Sequence, residues 1–297
     1  MDWKKLACML AIGLMAVGCG DDDTDTTGDD PGDDPPMPLN CGGADAQCLF
    51  VGSTLAIGVE DPDTGAVPGF DIDDRVSDST DEQGCFQEDW TSPSGTPGID
   101  NQLATLAPTL EAALGSDLQE TIDGAIADGS IIILMDVKGL ESTNDDITMD
   151  LSLGSVPDGA TLELNGTAIA AGQTFNVDMT YVSDAPGTVS GGVMTVSVST
   201  LPLAIPFDEE TEIALTIRDA TVRATVTETP TLSGGLIGGS LNIDELVTTV
   251  MAVAPDIDAG LIRTTLEGVA DLEPDGDGIC QNVSVGITFE GVEANAG

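Results

Sequence analysis

The feature that most constrains this chain is a period of two. Apolar side chains return at alternate positions as Phe175, Val177, Met179 and Tyr181, then Met194, Val196 and Val198, then Ile213, Leu215 and Ile217. Successive side chains of an extended strand point to opposite faces, so this spacing predicts strands with one apolar face. The odd-numbered set gives way to Val222, Ala224 and Val226, which predicts a bulge or turn near Arg218-Asp219. Asn165-Gly166, between Leu162-Glu163-Leu164 and Thr167-Ala168-Ile169, carries a two-residue hairpin signal. The middle of the chain is therefore expected to be antiparallel sheet.

Helical spacing flanks this region. Leu103, Leu106, Ala107, Leu110, Ala113 and Leu114 recur at three- and four-residue intervals, with Asp100 as N-cap and Pro108 expected to kink or restart the helix. Ser116 with Gln119 has capping-box spacing for a second helix ending before Gly129. Ile131 to Val137 is an apolar run of strand length. After a glycine-rich stretch, Leu246, Val250, Met251 and Ala254 return to helical spacing, with Asn242 and Glu245 suited to N-cap and N3 and Pro255 as the stop. A further helix is expected from about Asp258 to Ala270, then a last strand through Val283, Val285, Ile287 and Phe289. The fold class expected is α+β: a mostly antiparallel sheet, sandwich-like or curved, with two helix pairs packed on it.

The amino terminus reads as an address. Lys4-Lys5 precede the apolar run Leu6 to Val17, whose twelve residues rise only about 18 Å as a helix, short of a bilayer span. Its end, Ala16-Val17-Gly18-Cys19, resembles the lipobox of bacterial lipoproteins, which implies cleavage before Cys19 and a diacylglycerol on its sulfur. Residues 1–18 are thus read as signal peptide, and residues 19–40 as the lipidated cysteine and an acidic linker of Asp, Thr, Gly and Pro. Residues 41–297 are read as one β-rich extracytoplasmic domain. At about 3 Å per residue the linker could span some 60 Å. Gly20, in place of Asp, after the cysteine favours the outer membrane by analogy, with inner-membrane anchoring or secretion as alternatives. Pro97-Gly-Ile-Asp-Asn-Gln102 and the closing Asp-Gly-Asp-Gly-Ile-Cys280 resemble stretches of uncharacterised lipoproteins of the Gram-negative envelope.

Charge narrows the partners. Seven basic residues stand against 53 acidic ones, net −46, with no histidine. Such a chain repels nucleic acid and anionic headgroups, which leaves the membrane, reached through the lipid, and a protein, glycan or lipid of unspecified identity. Of six cysteines, Cys8 falls in the signal and Cys19 at the anchor. Cys41, Cys48, Cys85 and Cys280 remain as disulfide candidates, in any of three connectivities.

Chemistry has few places to sit. Asp271, Glu273, Asp275 and Asp277 alternate before Gly278, and the Glu273-to-Gly278 core resembles the DxDxDG loops of calcium-binding repeats. Position twelve, counted from Glu273 or Asp271, is Ser284 or Asn282, so the bidentate Glu of those loops is missing. Asp71, Asp73, Asp78 and Asp145 are weaker calcium candidates, with Asp81 and Asn144 nearby. No cofactor is otherwise required. Without histidine there is no Ser-His-Asp or Cys-His apparatus. Gly234 and Gly239 have phosphate-loop spacing, but Ser240-Leu241 replaces its Lys-Ser/Thr, so close strand approach is expected there. The function expected is a non-enzymatic envelope or surface lipoprotein, a binding or structural module that calcium could stabilise. The alternatives are a carrier of a hydrophobic ligand such as an acyl chain, and a carboxylate-only hydrolase of envelope polysaccharide.

Overall fold

The computed structural model describes residues 47–297 apart from residues 116, 143–144, 207–211 and 228. The signal segment, Cys19, the acidic linker, Cys41, Ser116 and Asn144 lie outside the described residues. Eight strands follow one another: β1 (Cys48–Ile57), β2 (Ile133–Lys138), β3 (Asp145–Ser155), β4 (Thr174–Ser190), β5 (Val193–Pro206), β6 (Glu212–Val226), β7 (Thr231–Asn242) and β8 (Cys280–Glu293). Each pairs antiparallel with the next, and β8 pairs back onto β1. The sheet is therefore a closed up-and-down barrel, which corrects the expected sandwich-like or curved sheet. Alternation reports that a face is buried, but it carries no signal that the first and last strands meet.

Inward-facing side chains pack the barrel where β4 and β5 are joined by the Gly191-Gly192 turn. Both glycines have positive φ, +58° and +79°, as a type I′ hairpin turn requires. Phe50, Val137, Met149, Met194 and Val196 are fully buried in this core. The parity change in β6 falls where expected: Asp219 has φ +47°, and the ladder to β7 slips between Arg218 and Thr221. The ladder between β3 and β4 also slips. Val177 stands opposite Gly154 and Met179 opposite Leu153, so these two odd-numbered residues face opposite sides, contrary to the single face expected.

Four helices cover the other end of the barrel. α1 (Leu103–Leu114) and α2 (Leu118–Ala127) follow β1, whereas α3 (Ile243–Val253) and α4 (Ala259–Glu267) separate β7 from β8. α1 runs through Pro108 without ending, and its N-cap is Gln102, not Asp100. Asp117 caps α2 by accepting from the Glu120 amide, and Asn242 caps α3 as its position implied. The hairpin near Asn165 forms one residue later than expected, with Leu164–Asn165 paired to Ala168–Ile169.

Residues 58–102 form a strap across the outer face of β7 and β8. Asn101, fully buried, donates from Nδ2 to the Gly58 and Pro68 carbonyls at 2.8 Å each and accepts from the Gly286 amide at 3.0 Å. A Cβ on Gly286 would lie 2.5 Å from the Pro68 carbonyl oxygen, so only glycine lets the strap this close. Phe70 fills the space above Gly238 and carries the Arg223 guanidinium 4.7 Å from its ring centroid.

Phe50→Ala should cost roughly 3–5 kcal/mol in urea unfolding, because a fully buried ring would leave a cavity that the closed strands cannot collapse into. Val177→Thr, at a 52 % exposed position, should stay within about 0.5 kcal/mol of the parent.

Candidate functional site

Three apolar cavities lie in series from the barrel to the helices. The first, about 50 Å³, lies inside the barrel among Leu55, Met135, Leu151, Val222, Ile287 and Phe289. The second, about 80 Å³, lies under the helices between Leu103, Leu110, Ile122, Leu241, Leu246 and Val250. The third, about 100 Å³, separates α1 from α3 and α4 and reaches the exposed Leu261. Leu55, Leu203 and Ile287 border both the first and the second, and Leu110 and Val250 both the second and the third. No charged residue lines any of them; the polar contribution is Thr54, Ser152, Tyr181, Thr121, Thr249, Thr109 and Thr265. Enclosed space lined by hydrocarbon offers water few partners and favours apolar guests.

A groove of different character, about 400 Å³, crosses the outer face of β2 and β3. Asp136 and Asp150, directly opposed in the ladder, both line it. Burial pushes the Asp136 carboxyl up, and its Oδ1 is buried without a hydrogen-bond partner. Asp150 is lowered against the opposing effect of burial, because it accepts from the Asp184 amide and from Lys138 Nζ at 2.7 Å.

Carboxylates also gather where the strap enters α1. Ligand atoms of Asp71, Asp73 and Asp100 lie within 4.8 Å of one another, and no other such acidic, histidine or cysteine group occurs among the described residues. Asp73 Oδ1 is buried and unpartnered, and the nearest cation is Arg75 Nε at 4.0 Å from Oδ2. Asp100, 2 % exposed, accepts from the Ile72 and Asp73 amides and is pushed up to about 8, chiefly by burial. Asp271, also 2 % exposed, holds the Ser284 amide and hydroxyl and is pushed up to about 7 by burial. Three oxygens from Asp71, Asp73 and Asp100 could hold a hard cation such as Ca²⁺, with waters completing its shell.

The sequence candidates divide accordingly. Asp71 and Asp73 converge with Asp100, which the helix reading had placed at a cap. Asp271, Glu273, Asp275 and Asp277 do not converge. Glu273 accepts from Asn282 Nδ2, and Asp275 accepts from the Asp277 and Ile279 amides, which lowers its pKa. Asp78 accepts from Thr80, which lowers it, and Asp145 accepts from the Glu141 and Ser142 amides. Asp78 and Asp275, each accepting from the amide two residues on, form the local Asx turns common in short acidic loops. Gly239 meets the expectation of close strand approach, since a Cβ there would lie 2.6 Å from the Arg218 carbonyl oxygen. Cys85 and Cys280 form a disulfide, Cα–Cα 6.0 Å, that ties the strap to the start of β8. Cys48 is also disulfide-bonded.

Comparison with protein-family models, curated proteins and solved structures finds no match to this chain. Among the described residues, no helix is long and apolar enough to cross a membrane.

Asp100 and Asp271 make stability depend on pH. Their folded pKa values, about 8 and about 7, exceed the ordinary 3.8, so the folded state retains protons the unfolded chain has released. Their contribution is complete below about pH 4 and is lost as pH rises through 7 to 8. Thermal unfolding in EDTA should show a Tm that falls across this range, and Asp271→Asn should flatten the fall. Millimolar Ca²⁺ should restore Tm at pH 8 if the Asp71–Asp73–Asp100 group holds a cation; an unchanged Tm would remove that assignment.

Proposed function

We propose that this chain is a non-enzymatic envelope lipoprotein whose helix-capped barrel binds a slender apolar ligand such as an acyl chain. The observation that carries the reading is the series of three neighbouring apolar cavities, which share lining residues and have no charged group in their walls. Burial of hydrocarbon from water supplies the affinity, about 0.8 kcal/mol per CH₂. An uncharged lining disfavours a buried ionic headgroup, whose desolvation nothing there would offset. An extracytoplasmic location agrees with the Cys85–Cys280 disulfide, because such bonds persist in oxidising compartments. Anchoring through Cys19, to the outer membrane in preference to the inner, completes the proposal.

A second reading, a carboxylate-only hydrolase, has the Asp136 and Asp150 groove in its favour. There two neighbouring carboxyls have pKa values moved in opposite directions, the pattern of an acid and a base. Turnover of envelope polysaccharide abolished by Asp136→Asn would establish it.

The binding reading is tested by titrating the purified protein with N-phenyl-1-naphthylamine, an uncharged dye that fluoresces in apolar surroundings, and by mass spectrometry for co-isolated lipid. Leu203→Trp, which narrows the junction of the first two cavities, should weaken dye binding about tenfold or more while the fold is retained. Equal affinity in parent and variant would sink the assignment of the cavities as the site.

A further inference from the structure

The barrel is fastened unevenly around its ring. β4 pairs with β3 from Asn176 to Val189, and β5 pairs with β6 from Val193 to Pro206. Between β4 and β5, however, the ladder runs only from Gly187↔Val196 to Ser190↔Val193, beside the hairpin turn. Residues 174–186 and 197–206 have no ladder pairing with each other. The β3–β4 ladder slips between Met149 and Leu151, where Asp184 has φ +52°, so a bulge in β4 lies just beyond the last β4–β5 pair. Pro186 and Pro202, at the two facing margins, have no N–H to give to a ladder.

The unpaired margins border the first cavity. Tyr181 from β4, and Leu201, Pro202 and Leu203 from β5, all line it. Met179 lies opposite Leu153, which also lines that cavity, so both project from the same face of the sheet. Leu153 is half-buried, yet Met179 is 56 % exposed. The inward face of β4 thus reaches solvent at the level where the ladder is missing.

We propose that the seam between β4 and β5 is the lateral entrance through which an uncharged apolar chain, such as that of a long-chain alcohol or neutral lipid, passes into the barrel. This rests on the reading of the barrel as a binding module. The occupant follows from the walls. Where the margins line the cavity they offer Tyr181, Leu201, Pro202 and Leu203, apolar side chains and one phenol with no cation for an anionic head. The gap between α1 and α4, where Leu261 is 62 % exposed, is the competing route.

Stopped-flow uptake of N-phenyl-1-naphthylamine by the full-length protein separates the two routes. Met179→Asp, at an exposed position, should slow association and release alike by about tenfold, leaving Kd within about twofold, because a charge in an apolar passage obstructs transit without changing the destination. Leu261→Asp should leave both rates at the parent values. The reverse pattern, slowing by Leu261→Asp alone, would overturn the seam while leaving the binding reading intact; no dye uptake by the parent protein would overturn the binding reading itself. The unmutated protein provides an independent arm. A long-chain alcohol bearing a mid-chain diazirine should, on brief illumination during uptake, label the peptides containing Met179 to Val182 and Leu201 to Leu203, and early labelling confined to α4 would overturn the proposal.

Discussion

Everything in this domain depends on β1 finding a partner on both sides. Its residues pair with β2 along one edge and with β8 along the other, so the first and last barrel strands satisfy each other's backbone. A sheet closed in this way has no terminal edge to protect, but it encloses a volume that must be filled with side chains or left as space. The end near the Gly191-Gly192 turn is filled, with Phe50, Met149 and Met194 completely buried. The other end is roofed by helices, and there the filling is incomplete.

Closure also determines what lies outside. The strap from residues 58 to 102 approaches β8 at Gly286, where Asn101 supplies the polar contacts that a buried backbone needs. Bringing the strap down buries Asp100 and Asp271 among other carboxylates, in a chain with little positive charge to balance them. The Cys85–Cys280 bond ties the same strap covalently to the start of β8. Packing, acid chemistry and cross-linking are therefore all spread along the strap.

Much of the local structure was legible from residue pattern alone. The parity change at Arg218-Asp219 requires a bulge, and the bulge is there; Asn242 is well suited to an N-cap, and it caps α3. What was not legible depends on residues far apart in sequence. Asp100 precedes an apolar helix and so reads as its cap, but the strap folds back to offer it the Ile72 and Asp73 amides instead. Asp271 to Asp277 alternate as calcium ligands do, yet Asp275 holds the backbone of its own turn and Asp271 the Ser284 amide on β8, and proximity in sequence cannot decide between such uses. Ring closure, the convergence of Asp71 and Asp73 with Asp100, and the cavities all arise from long-range packing that no period encodes.

The brevity of the β4–β5 ladder has a mechanical consequence. A cylinder stitched evenly along every join resists any change of girth, since each join must shear together with its neighbours. Here one join is stitched only beside its turn at Gly191-Gly192, so few backbone bonds oppose widening along this line. A stiff wall yields along its lightly bonded lines before it yields anywhere else.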